Sequence, residues 1–256
     1  MTISLLSALE EAAAIGRLRA GGRPPVIGLS GAQGVGKTTL LKAFAASGAR
    51  VAGLSIDDVY LTKSERRILA RDVHPLLTTR GPPGTHDLGL LARTLESLRQ
   101  GGRTALPSFD KASDDRRREA DWPVFEGRPD VIVLDGWCVG ALAEADVSTP
   151  VNALEAGEDP DGVWRRWVNE QLAGPYQAAF ERLDAILFLA APSFDVVLGW
   201  RLQQEAETLG RAMDESDRAR IGRFIAHYER ITRHMLAGGV RAEVRVDLDE
   251  RREAIL

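Results

Sequence analysis

The feature that most limits what this chain can become is Gly31-Ala32-Gln33-Gly34-Val35-Gly36-Lys37-Thr38-Thr39-Leu40, directly behind the apolar run Val26-Ile27-Gly28-Leu29-Ser30. It has the form G-x-x-x-x-G-K-[ST] between a strand pattern and a helix pattern, the setting of a phosphate-binding loop. The glycines let the backbone curl until successive N–H groups point inward at phosphate oxygens. The helix that starts near Lys37 adds the positive end of its dipole. Lys37 then reaches the β- and γ-phosphates, and the Thr38 hydroxyl ligates Mg²⁺. A Gly-rich turn that matches by accident is the competing reading, and the correct flanks argue against it. Gly31 through Thr39 are therefore expected to hold a nucleoside triphosphate.

Strand patterns at Val26–Ser30, Val51–Ile56, Val131–Asp135, Asp184–Ala190 and Val240–Val246 alternate with helical ones. The helical stretches are 2–20, with Ile3, Leu6, Leu9 and Ala13 on its apolar face, then Thr38–Ser47, Lys63–Arg71 and Leu88–Arg99. Trp164–Leu183, interrupted near Gly174-Pro175, Ser193–Leu209 and Asp214–Leu236 complete them. This alternation predicts an α/β fold of three layers, a mostly parallel five-stranded sheet covered by helices on both faces. Between these lie a Pro/Gly loop at 74–87, a polar irregular stretch at 103–125 and an acidic mobile loop at 146–162. Ligands of such sheets sit beyond the carboxyl ends of the strands. Gly31, Asp57 and Asp135 each lie at such an end, so one crevice gathers them.

Composition excludes some classes. Hydrophobic content of 44% and charged content of 27% are those of a soluble globular protein. A formal charge of −4 gives no reason to expect a nucleic-acid partner. The one cysteine, Cys138, allows no intrachain disulfide and reads as a buried inert thiol in a reducing compartment. The N-terminal stretch carries Glu10 and Glu11 and reads as an amphipathic helix rather than a signal peptide. The longest apolar run, Ala185–Phe194, is too short to span a bilayer and contains Pro192. A cytoplasmic chain without a membrane or nucleic-acid partner is expected.

A phosphate loop does not separate a kinase from a switch or a motor, so the other charged residues decide. Asp135 ends an apolar strand, where a carboxylate holds Mg²⁺. Asp57 and Asp58 follow the second strand, and on extended backbone only one of two neighbours faces the crevice. That one is placed to accept a proton from an attacking hydroxyl; the alternative is a turn or helix cap. Arg80, His86, Asp87, Asp110, Lys111 and Arg116 lie in loops, with Arg80 and Arg116 suited to gripping a small anion. Singly, each reads better as a solvated loop charge. Arg201 stands on a helix from which a closing lid presents a cation to a transferring phosphate. His227 and His234 read as packing or surface residues, and Trp164 and Trp167 as core.

Several stretches resemble the D-glycerate 3-kinase family. Ser55-Ile56-Asp57-Asp58-Val59-Tyr60-Leu61-Thr62 is similar to that family's S-x-D-D-F-Y-L-T, and Arg80-Gly81-Pro82-Pro83-Gly84-Thr85-His86-Asp87 to its R-G-x-P-G-T-H-D. Pro107-Ser108-Phe109-Asp110-Lys111, Asp135-Gly136-Trp137 and Trp200-Arg201-Leu202-Gln203-Gln204-Glu205 resemble its P-x-[FY]-D-K, E-G-W and W-R-x-Q-Q-E. The resemblance implies a P-loop kinase related to uridine kinase, phosphoribulokinase and pantothenate kinase, with sheet order 2-3-1-4-5. It implies ATP and Mg²⁺, Asp57 as the catalytic aspartate with Lys37 and Arg201, and Thr38 and Asp135 on the metal. On the acceptor side it puts Asp58, Tyr60, Arg80, Thr85, His86, Asp110, Lys111 and Arg116. One domain, 1–256, is expected, with insertions at about 74–125 and 195–225 as substrate loops and lid. The chain departs from the family at Val59 (usually Phe), Asp135 (usually Glu, a chemically mild change) and Asp114-Asp115-Arg116 (usually G-D-R); the changes near 59 and 112–116 bear on the acceptor. A nucleoside, pantothenate or a sugar phosphate is the alternative acceptor. A switch or ATPase working on a protein partner is the rival class, although neither N-K-x-D nor L-S-G-G-Q occurs.

Overall fold

The interior strands are continuous apolar runs buried on both faces, which is the pattern a parallel sheet between two helical layers demands. The computed structural model describes residues 4–255, so the expected helix start at residue 2, and Ile3, lie outside the described residues. Helix α1 (Leu5–Arg19) precedes β1 (Val26–Gly31), followed by α2 (Lys37–Ala46), β2 (Val51–Ser55), α3 (Lys63–Asp72) and α4 (Leu88–Gln100). Four short strands come next: β3 (Arg103–Ala105), β4 (Phe109–Asp110), β5 (Asp115–Arg116) and β6 (Val124–Glu126). Then follow β7 (Val131–Gly136), α5 (Ala153–Glu158), α6 (Val163–Gln171), α7 (Gln177–Phe180) and β8 (Ala185–Ala190). The chain continues through α8 (Asp195–Leu209), α9 (Glu215–Leu236) and β9 (Val244–Asp247).

The main sheet has order β2-β7-β1-β8-β9, with every pairing parallel. Counted along this sheet alone the order reads 2-3-1-4-5; in detail the chain differs by the four hairpin strands between its second and third members. Successive side chains leave a strand on opposite faces. Ile132 and Leu134 therefore join one core, with Leu91, Leu95, Trp164 and Tyr228, while Val131 and Val133 join another, with Leu9, Phe44 and Trp200. The edge strands β2 and β9 alternate buried and less buried positions, each sending one of its two faces into a core: Ala52 and Leu54 in the first, Val244 and Val246 in the second. Cys138 is buried, and burial pushes its thiol pKa up.

Two expectations fail. Residues 103–125 are not irregular: Arg103–Ala105 pairs with Val124–Glu126, and Phe109 and Asp110 pair with Arg116 and Asp115. Residues 146–162 are not a mobile loop. They contain α5, and Glu155 and Asp159 are 0% and 1% exposed because arginines from elsewhere neutralise them. Arg230 donates to both Glu155 oxygens, Nε at 2.9 Å and Nη2 at 2.6 Å. Arg165 Nη1 lies 3.1 Å from Asp159 Oδ2. The interruption expected near Gly174-Pro175 takes the form of a π-helical turn, Leu172–Tyr176, between α6 and α7, which accommodates Pro175. Among the described residues no helix is long and apolar enough to cross a membrane.

Candidate active site

The carboxyl ends of β1, β2 and β7 carry the loop 31–36, the turn after Ser55, and Asp135. In the loop, Gly34 has φ +79°, and a Cβ there would lie 2.8 Å from Trp200 Cβ, so glycine is required on both counts. Lys37 Nζ donates to the carbonyls of Gly31 at 2.7 Å and Ala32 at 3.2 Å. Burial lowers the pKa of this ammonium, opposed by the charges of Asp135 and Asp57. Arg252, from the C-terminal segment, donates to Gly34 O at 2.7 Å and lies over the Trp200 ring.

Two cavities open here. The outer cleft, about 630 Å³, is walled by 33–39, by 53–55 with Asp57 and Asp58, and by Gln203, Gln204, Glu207 and Arg252. The inner cavity, about 80 Å³, is walled by Tyr60, Arg80, Trp137, Phe224 and Tyr228. Gln33, Lys37, Asp57, Lys111, Asp135 and Arg201 line both, and so stand at their junction.

Asp57 sits in a 3₁₀ turn, Ile56–Val59, and its own N–H donates to Ser55 Oγ at 3.3 Å. The backbone here is not extended, so the expectation that only one of Asp57 and Asp58 faces the crevice is corrected: both line the outer cleft. Asp57 accepts from the Tyr60 hydroxyl at 2.7 Å and from Lys111 Nζ at 2.9 Å. Burial works to raise its pKa, but the Lys111 charge and these hydrogen bonds outweigh it and leave the carboxyl below its ordinary range. Asp58, raised by burial and by the neighbouring Asp57 charge, sits at about 6. Asp135 is likewise raised by burial, against the pull of Lys37.

Arg80 is held from several sides. Its guanidinium pairs with Asp114 and lies 5.6 Å over Phe109 and 5.9 Å over Phe224, and its carbonyl accepts from Tyr228 Oη at 2.9 Å. Asp114, at φ +57° between β4 and β5, is also gripped by the buried Arg66 at 2.8 Å. Arg201, on α8, donates to Gln204 and Glu205, each at 2.6 Å.

Four of the residues expected on the acceptor side line neither cavity. The buried Thr85 hydroxyl accepts from Gly81 N at 2.9 Å and donates to Pro82 O at 2.7 Å, which closes the 81–85 turn. His86 is buried against Tyr60, ring centroids 4.8 Å apart, and burial lowers its pKa to about 4. Tyr176 Oη accepts from Gly84 N at 2.8 Å and so has its proton free for His86 Nδ1 at 2.5 Å. Asp110 folds its own turn, accepting from Ala112 N at 3.1 Å and Ser113 Oγ at 2.9 Å. Arg116 donates to Tyr60 O at 2.7 Å and Asp87 at 3.3 Å, bracing the segment that carries Asp57. Within the phosphate loop, Gly31 and Ala32 likewise stand behind the cleft wall.

Sequence reasoning assigned no role to Trp137, Phe224 and Tyr228, which form the aromatic wall of the inner cavity. Phe224 and Tyr228 are one helical turn apart on α9, a usable signal, and Trp137 stands two residues after Asp135. Nothing near Arg252 marks it in advance.

Among the described residues no group of three His, Cys, Asp or Glu side chains converges as a metal site. Thr38 and Asp135 supply one hydroxyl and one carboxylate. That is a donor set for Mg²⁺, which takes few protein oxygens and completes its shell with phosphate and water.

A glycine-bent loop at the end of β1, a half-buried lysine folded over it and a sheet ordered 2-3-1-4-5 define the class: this is a P-loop kinase, a phosphotransferase. The chain belongs to the D-glycerate 3-kinase family. It is 32% identical over 220 residues to the Schizosaccharomyces pombe protein described as uncharacterized kinase mug58, an alignment covering 81% of this chain and 79% of that one. It is also 32% identical over 257 residues to chloroplastic D-glycerate 3-kinase of Arabidopsis thaliana, covering 91% of this chain and 54%, about half, of the plant protein. The solved structure of D-glycerate 3-kinase from Cryptococcus neoformans matches with a TM-score of 0.73 at 26% identity, covering 98% of this chain and 96% of that one. No family model matches the chain.

Proposed function

We propose that this kinase transfers the γ-phosphoryl group of ATP to a hydroxyl of a small acid, with D-glycerate as acceptor and 3-phospho-D-glycerate and ADP as products. The observation that carries the reading is the junction: Lys37, Asp57, Asp135 and Arg201 line both the large outer cleft and the small inner cavity. A donor in one and an acceptor in the other would meet at those four side chains. About 15 Å³ suffices for a water, so the inner cavity of about 80 Å³ takes a molecule of a handful of heavy atoms, not a nucleoside. Arg80 and Lys111 in its wall suit a carboxylate.

The loop amides and Lys37 cradle the phosphates. Thr38 and Asp135 would hold Mg²⁺, which when bound neutralises phosphate charge. Asp57 orients the acceptor hydroxyl and takes its proton as the acceptor oxygen bonds to the γ-phosphorus. The bond from that phosphorus to the bridging oxygen breaks, and its electron pair leaves with ADP. Arg201, on α8, covers the transferring group. We read residues 1–256 as one kinase domain, with 74–125 supplying the acceptor side and 195–225 the lid.

A coupled assay for ADP, run with both glycerate enantiomers, uridine, pantothenate and a sugar phosphate, tests this. Turnover with D-glycerate above the others, with phosphate on the 3-hydroxyl, is expected. ADP release indifferent to every acceptor would replace this reading with that of a nucleotide hydrolase acting on a protein.

A further inference from the structure

We infer that Lys111 masks the base Asp57 in the empty site and is drawn off it by the anionic group of the acceptor. This makes Lys111 a specificity-determining residue, and it rests on the reading that the acceptor is a small acid.

Both Asp57 oxygens are engaged. Oδ1 accepts from the Tyr60 hydroxyl at 2.7 Å and Oδ2 from Lys111 Nζ at 2.9 Å. Each oxygen keeps a second lone pair, but both contacts lower the basicity of the carboxylate, so one of them has to yield before it readily takes a proton from a substrate hydroxyl. Tyr60 is not the one that moves. It is 3% exposed, its ring is packed between His86 and Phe109, and its carbonyl is held by Arg116. Lys111 has the opposite character: its side chain is 57% exposed, it stands on the turn between β4 and β5, and among the described residues its ammonium has Asp57 as its sole partner.

The other cations at the two cavities are committed elsewhere. Arg80 is paired with Asp114, Arg201 with Glu205, and Lys37 with carbonyls of its own loop. Lys111 is the cation whose partner is the base itself. A carboxylate entering the inner cavity offers it an exchange of one carboxylate for another, which is easy because exposed ion pairs are weak. A neutral alcohol offers no such exchange. Neither does water, so an unoccupied site keeps its base covered and ATP is spared hydrolysis.

Lys111→Met and Lys111→Arg test this, with three measurements on each chain: ADP formed from ATP without acceptor, and kcat/KM for D-glycerate and for glycerol. In Lys111→Met, acceptor-free hydrolysis is expected to rise about fivefold or more and the D-glycerate preference over glycerol to fall about tenfold or more. Lys111→Arg should restore most of both. Calorimetry without nucleotide should show weaker D-glycerate binding to Lys111→Met and unchanged glycerol binding. Unchanged hydrolysis with a raised D-glycerate KM would make Lys111 a plain anchor and overturn the mask. Equal losses for both acceptors would make it structural and overturn it too. The wild-type arm separates the two levels: D-glycerate turnover with an uncovered-base phenotype missing sinks this inference alone, whereas wild-type preference for a neutral acceptor sinks the small-acid reading and the trigger with it.

Discussion

The two cavities that meet at Asp57 are built by different means. The outer cleft is organised around one run of consecutive residues, 33–39, that bends along it, and Gly34 tolerates a conformation that side chains resist. The inner cavity is walled mainly by side chains from distant segments, with Arg80, Trp137, Phe224 and Tyr228 fixed by contacts such as Trp137 Nε1 to Gly81 O at 3.2 Å. A backbone cradle suits any triphosphate, because its contacts do not depend on which side chains surround it. A side-chain cavity can be re-cut one residue at a time. With the donor in the outer cleft and the acceptor in the inner cavity, as proposed above, donor binding would be common to P-loop proteins while acceptor choice would belong to the individual chain.

The largest effect is expected where the halves join. Asp57→Asn keeps the shape and removes the proposed proton acceptor, so turnover should fall about 10²- to 10⁴-fold with ATP affinity retained. Nucleotide titration beside a steady-state assay checks both; unaltered turnover would take Asp57 out of the mechanism. Two further substitutions should separate the halves. Gly34→Ala places a methyl group 2.8 Å from Trp200 Cβ at φ +79°, and ATP affinity should weaken about 10- to 100-fold with the acceptor KM unmoved. Arg80→Met should do the reverse, raising the acceptor KM about tenfold at constant ATP affinity. If both variants shift both constants alike, the halves are one unit and the comparison breaks.

The same contrast explains what was legible in the sequence. The phosphate loop can be read because its function lies in consecutive residues, and β1, β7 and β8 because burial on both faces writes an unbroken apolar run. The hairpin strands β3 to β6 hold two or three residues each, too few to write any period. The stretch 146–162 misleads for an electrostatic reason. Its acids look solvated in isolation, yet Glu155 is neutralised by Arg230 from a distant helix, which no local reading supplies. His86 and Arg116 carry the chemistry expected of site residues but spend it on Tyr176 and on the Tyr60 carbonyl. A motif shows that a residue is constrained; only the fold shows whether the constraint comes from a ligand or from a neighbour.

The smallest effect separates neighbours within one turn. Asp57 lines both cavities and Asp58 only the outer one. Burial, and then the Asp57 charge, raise Asp58 from 3.8 to about 6. Between those values the folded chain keeps a proton that the unfolded chain has released, so stability falls as pH rises and the loss is complete above about pH 6. Two units correspond to about 3 kcal/mol, which screening by water in the open cleft reduces to about 1 kcal/mol. Asp58→Asn has no such proton to lose. Urea unfolding at several pH values should give it a flatter profile than the native chain across that window, and greater stability by about 1 kcal/mol above it, with the acceptor KM unchanged. Matching profiles would mean that Asp58 ionises like a surface carboxylate, and that the turn imposes its electrostatic strain on Asp57 alone.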